Sequence, residues 1–182
     1  MKATGVVRKM DNLGRIVIPK EIRRTLRIRE GDPLEIFTGN EGEIVFKKYS
    51  PISDISIFAK QYAKSLAKTT GKTVCITDKD TVVSVSGSGR RELDAKPISK
   101  QLEELIEKRE NIIAAKGDKN FVNITKEGNE PFTYQVINII ICEGDAIGAV
   151  VILTKEQGQN MGELEMKLAG SAAGFLGKQI EN

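Results

Sequence analysis

Side chains able to do chemistry are unevenly spread over the 182 residues: histidine is absent, and cysteine occurs only at Cys75 and Cys142. The commonest general acid–base group is therefore missing, and zinc sites of the usual Cys/His kind are excluded. The carboxylates show no paired-acid motif, and the glycines spell neither a phosphate loop nor a dinucleotide fingerprint. Positive charge is what the chain concentrates. Met1–Arg29 holds nine basic and two acidic residues, a net of +7, whereas Glu30–Ser50 nets −3 and Pro51–Asn182 nets −1. The overall +3 thus conceals one strongly basic stretch, the footprint expected of a nucleic-acid contact surface. No enzyme activity, cofactor or metal is expected.

The elements that must position these cations can be read from local patterning. Ala3–Met10 is strand-like and runs into Asp11-Asn12-Leu13-Gly14, whose residues tolerate the bends of a tight reversal. Arg15–Ile18 alternates as a second strand, which Pro19 ends while opening a helix over Lys20–Arg27. On a helical wheel Lys20, Arg23, Arg24 and Arg27 share an arc of roughly 100°, opposite Ile22 and Leu26. One face packs and the other carries charge. Salt bridges to Glu30 or Asp32 are expected for Arg27 and Arg29. Leu34–Thr38 and Glu43–Lys48 form a further hairpin, with Leu34, Ile36, Ile44 and Phe46 facing inward. Some fifty residues with so few large apolar side chains cannot bury a core alone, so this unit should pair with a copy of itself.

The run MKATGVVRKMDNLGRIVIPKEIRRTLRIREGDPLEIF, continuing to KKYSP, resembles the AbrB-type swapped-hairpin DNA-binding domain of bacterial transition-state regulators. The resemblance covers about Met1–Pro51. It implies that two chains interlace hairpins into a small dimeric β-barrel and grip duplex DNA. By that resemblance the contacts are Arg8, Lys9, Arg15, Arg23 and Arg24, with Lys2, Asn12 and Lys20 as weaker candidates.

Residues 53–182 read as a second domain after a head of residues 1–52. Helical spacing recurs from Ser53 to Gly71 and over Ser99–Arg109. Strands are expected at Thr73–Thr77, Val82–Ser86, Phe121–Ile124, Thr133–Cys142 and Ala146–Leu153, with a flexible turn over Ser86–Arg91. A last helix should start from a capping box at Asn160–Glu163, presenting Leu164, Leu168, Ala172, Phe175 and Ile180 on one side. Its small residues, Ala169 to Gly174, suit close approach of another helix. The order of elements is similar to GAF sensory domains. The fold class is therefore α+β, with a central antiparallel sheet flanked by helices.

An AbrB-type head on a GAF-like tail implies a transcription regulator of sporulation-stage genes, assembled as a homotetramer. Should the tail hold a small molecule, Ser86, Arg90, Arg91, Phe121 and Tyr134 are the candidates, the arginines beside Ser-Gly turns suiting an anion. Two other functions fit parts of the chain: a MazE-like antitoxin, or a small-molecule receptor for which the head is a tether. The longest apolar runs have strand length and the N-terminus lacks a secretory core, so a cytoplasmic, nucleoid-associated protein without a membrane partner is expected.

Overall fold

Why the basic stretch adopts so little regular structure in a single chain is plain from its hydrogen bonds. In the computed structural model, which describes residues 5–40, 42–128, 131–156, 158 and 161–181, the chain divides into two compact units, Met1–Tyr49 and Ser50–Asn182. Residues 5–10 and 15–18 form no strand, contrary to their alternating pattern. Their turn is nevertheless closed, with the Asp11 N–H donating to the Arg15 carbonyl at 3.0 Å and the Gly14 N–H to the Asp11 carbonyl at 3.1 Å. Pairing stops there.

Helix α1 (Lys20–Leu26) begins after Pro19 and ends where Arg27 turns left-handed at φ 54°. The N–H groups of Arg27 and Ile28 reach back to the carbonyls of Arg24 (3.4 Å) and Arg23 (2.8 Å), capping the last turn. Strands β1 (Leu34–Thr38) and β2 (Ile44–Lys48) pair antiparallel, with Ile36 opposite Phe46 and Thr38 opposite Ile44. That register places Leu34, Ile36, Ile44 and Phe46 on one face, as their alternation requires. The face is not buried within one chain: Ile36 is 62% exposed, Ile44 56% and Phe46 37%. Val7, Leu13 and Val17 are more exposed still, and among the unit's described residues only Pro19 is buried.

The second unit builds a five-stranded antiparallel sheet in the order β4-β3-β7-β6-β5. It comprises helices α2 (Pro51–Asp54) and α3 (Ser56–Thr70), strands β3 (Thr73–Asp78) and β4 (Val82–Ser86), helices α4 (Arg90–Leu93) and α5 (Lys100–Lys108), strands β5 (Ile112–Ala115), β6 (Tyr134–Cys142) and β7 (Asp145–Thr154), and helix α6 (Glu163–Ile180). Strand β7 is central, and every residue of it except Asp145 is buried. Such a strand reads as a continuous apolar run because both of its faces are covered.

On one face α3 and α6 pack Ala59, Ala63, Ala172 and Leu176 against Val74, Ile76, Ile140 and Ile152. On the other, Leu93 of α4 and Leu102 and Ile106 of α5 meet Cys75, Ile137 and Val151, together with Ile124 and Phe132 from the β5–β6 connection. The two cysteines lie in different cores, Cys142 in the first and Cys75 in the second. Burial, reinforced by neighbouring carboxylates, pushes the Cys142 thiol up from its ordinary value.

Three expectations change. Residues 121–124 do not join the sheet. The Ser99 N–H donates to the Ile124 carbonyl at 2.9 Å, the Ser99 hydroxyl donates to the Asn123 carbonyl, and the Asn123 N–H donates to Gln101. These bonds tie the segment to the start of α5, and Ile112–Ala115 takes the sheet edge against β6 instead. The Ser86–Arg91 turn is pinned rather than loose: the Gly89 N–H donates to Thr73 Oγ1 at 3.0 Å, and a Cβ at Gly89 would lie 2.7 Å from the Phe132 ring. Helix α6 starts at Glu163, with the Gly162 N–H donating to the Glu165 carboxylate at 2.9 Å; the expected cap Asn160 lies outside the described residues. Its small residues serve the sheet: Ala169, Ala172 and Ala173 are buried there, and a Cβ on Gly177 would fall 2.1 Å from the Ile141 carbonyl oxygen.

Candidate nucleic-acid interface

The turn and α1 display the cations in different ways. Asp11 organises the turn: its Oδ1 accepts the N–H groups of Leu13 (3.0 Å) and Arg15 (2.8 Å), and its Oδ2 accepts Arg15 Nε at 2.7 Å. The Arg15 backbone and side-chain bonds hold the Asp11 carboxyl below its ordinary value. Gly14 supplies the left-handed residue at φ 74° that the reversal needs. Asn12 stands exposed at the tip, with Arg8 and Lys9 exposed just before it. Arg15 is aimed by its own ion pair, so part of its charge is already answered.

Helix α1 presents Lys20, Arg23 and Arg24 to solvent, while Ile22 is partly covered. Arg8, Lys9, Lys20, Arg23 and Arg24 make no ion pair among the described residues. Lys2 lies outside the described residues. The charge field of these cations is therefore available to an external anion.

A second set of contacts fixes α1 to the hairpin. Lys48 on β2 donates to the Arg27 carbonyl at 2.9 Å and pairs with Asp32 at 3.0 Å. Asp32 also accepts the Arg29 N–H at 2.9 Å. Burial raises the Asp32 carboxyl, but the Arg29 N–H and the Lys48 ammonium outweigh it and hold the group below its ordinary value. Arg27 forms no ion pair among the described residues, contrary to expectation; it is the left-handed residue that ends α1, and its carbonyl becomes the anchor for Lys48. Sequence reading missed Lys48, whose partners lie 16 and 21 positions away; nothing local marks such a contact.

The five ligand candidates of the second unit do not converge. Ser86 and Arg90 line a cleft of about 420 Å³ beside α3, together with Lys60, Lys64, Ser84 and Asp94. Arg91 is exposed on α4. Phe121 sits half-buried in the β5–β6 connection, and Tyr134 packs toward the α3–α6 core. The space between sheet and α4–α5 is filled: Leu93, Ile98, Leu102, Ile106, Ile124 and Phe132 are each at most 1% exposed.

Comparison with known proteins gives these units relatives. Residues 54–181 match the family described as stage V sporulation protein T C-terminal, transcription factor, and residues 7–54 match the MazE antidote-toxin recognition family of bacterial antitoxins. Over 181 residues, all of this chain and 99% of the relative, the sequence is 49% identical to stage V sporulation protein T of Bacillus subtilis. The chain belongs to the stage V sporulation protein T family. Its first 51 or so residues have a further relative in the transition state regulatory protein AbrB of B. subtilis, at 61% identity over 51 residues, 28% of this chain and 52% of that one. The second unit has the GAF fold. The GAF domain of an Acinetobacter phosphoenolpyruvate-protein phosphotransferase superposes with a TM-score of 0.57 at 12% identity, covering 74% of this chain and 84% of the other. This chain thus joins an AbrB-type head to a GAF-type domain in one α+β fold.

Proposed function

We propose that this transcription factor binds duplex DNA through Arg8, Lys9, Arg15, Arg23 and Arg24, assisted by Lys2, Asn12 and Lys20, and so regulates sporulation-stage genes as an activator or repressor. The observation that carries this reading is one juxtaposition. Among the described residues, cations with no ion-pair partner stand on a turn and a helix face of a unit that shows no buried core of its own. Val7, Leu13, Val17, Ile36 and Ile44 are covered only if another copy supplies the missing strands, and interlaced hairpins bring two basic patches to one duplex. Phosphate contacts supply most of the affinity, and duplex shape contributes to selectivity.

The domains divide as residues 1–52 for DNA and 53–182 for regulation. Exposed Ile57 and Phe58 on α3 and Leu164 and Phe175 on α6 offer the second domain an apolar face for joining dimers into a tetramer. A small-molecule receptor role also belongs to that domain, and the assembly works in the cytoplasm on the nucleoid.

Sedimentation velocity and fluorescence anisotropy with a sporulation-promoter duplex at low ionic strength test the proposal. An oligomer that binds duplex at submicromolar protein is expected; a monomer, or indifference to duplex, overturns it. The match of residues 7–54 to an antitoxin family favours one other reading, neutralisation of a toxin. A stoichiometric small protein co-purifying with the chain from its own host would select it.

A further inference from the structure

The cleft beside α3 has the chemistry of a binding site that the DNA reading does not use. Lys60 and Lys64, one helical turn apart on α3, form one wall; Arg90 of α4 and Asp94, which caps its end, form another; Ser84 and Ser86 of β4 form the floor. Register explains why the serines point there. Ser84 pairs with Ile76 and Ser86 with Val74, and both of those partners belong to the α3–α6 core, so both hydroxyls project toward α3. An apolar side chain would be the ordinary occupant of such a position. Ser84 is 5% exposed overall, its hydroxyl opens to the cleft, and it makes no hydrogen bond to protein among the described residues.

The charges are equally unanswered. Lys60 and Lys64 make no ion pair among the described residues, and like charges at this spacing disfavour a helix. Arg90 reaches Asp94 at 3.4 Å, leaving the remaining donors of its guanidinium fork available. Three cations thus face one carboxylate across two hydroxyl donors.

We propose that this cleft binds a small phosphate-bearing ligand, with Lys60, Lys64 and Arg90 answering its charge and Ser84 and Ser86 donating to its oxygens. The volume of about 420 Å³ lies within the range of small-molecule sites. Tetrahedral phosphate oxygens accept from hydroxyls and ammonium groups at once, and charge-assisted bonds are the strong ones. The proposal rests on the second domain's being a receptor, and it names where and for what.

The test is isothermal titration of the full-length protein with sodium pyrophosphate at constant ionic strength, with citrate as the carboxylate comparison. Because the head also binds polyanions, the reference protein carries Arg23→Ala and Arg24→Ala. Saturation at one pyrophosphate per chain is expected, in preference to citrate. Lys60→Gln with Lys64→Gln should weaken it by about tenfold or more, as should Ser84→Ala to a lesser degree, while duplex affinity, measured with Arg23 and Arg24 intact, stays unchanged. Non-saturating heats, unaltered binding in the Lys60/Lys64 variant, preference for citrate, or a loss of duplex affinity in that variant would each overturn the assignment. A thermal-shift panel of nucleotides, amino acids and branched acids separates the two levels. Stabilisation by an amino acid or branched acid without any pyrophosphate binding sinks this site and leaves the receptor reading standing.

Discussion

Replacing Arg23 and Arg24 by alanine should change how steeply duplex binding depends on salt, and the size of the change follows from the geometry. Of the principal contacts, each chain offers Arg8, Lys9, Arg23 and Arg24 as exposed cations with no ion pair among the described residues, with Lys20 set aside as a weaker candidate, whereas Arg15 is bonded to Asp11 at 2.7 Å and releases less counterion when it meets a phosphate. A dimer therefore brings about eight full phosphate contacts, for a slope of log K against log salt near −7 at about −0.9 per contact. Raising NaCl from about 50 to 200 mM then weakens binding by about 10⁴-fold. The double variant loses four contacts, so its slope falls to about −3.6 and the same salt step costs only about 10²-fold. Both side chains are exposed, which should keep the melting temperature within the effect of about 0.5 kcal/mol. Fluorescence anisotropy over a salt series, with a calorimetric melt of each protein, reads both quantities. An unchanged slope in a correctly folded double variant would refute the placement of these arginines on phosphates.

Three further outcomes are expected. Lys48→Met removes the bond to the Arg27 carbonyl and the Asp32 pair, both partly shielded, and should cost about 1 kcal/mol of stability while lowering duplex affinity, because α1 loses its anchor to β2; chemical denaturation alongside anisotropy separates the two effects. Gly148→Ala places a Cβ 1.9 Å from the Thr77 carbonyl oxygen and 2.5 Å from Ile52 Cδ1, so a loss of about 3 kcal/mol, roughly 10 °C in melting temperature, should appear by calorimetry. The Asp11 turn has a defined acid limit. Its folded-state pKa lies below the ordinary 3.8, so its stabilising contribution is complete above that value and vanishes as pH falls through the lowered one. The Leu13 and Arg15 amide resonances should shift together through that lower pH, and Asp11→Asn should abolish the transition.

Much of the architecture was legible locally because it depends on neighbours in the chain. Gly71 and Arg109 end α3 and α5 where the helical spacing stops, and β6 and β7 occupy the two longest apolar runs. The segment at 121–124 failed because its alternating apolar residues suit a strand equally well, and only the hydrogen bonds from Ser99 and Gln101 decide otherwise. Strand β5 was invisible: four residues carry too little periodicity, and its pairing with β6 is settled at a distance.

The sequence by itself determined the charge asymmetry, the missing histidine chemistry and the alternation that puts Leu34, Ile36, Ile44 and Phe46 on one face. Those properties belong to residue types and to the periods of helix and strand, which need no partner. Tertiary structure decided which cations are already answered and which are not. It ties Arg15 to Asp11, leaves Arg23 and Arg24 without an ion pair among the described residues, and collects Lys60, Lys64 and Arg90 around two serines. Electrostatic and hydrogen-bond energies fall steeply with distance, and distances between residues far apart in the chain exist only once it has folded.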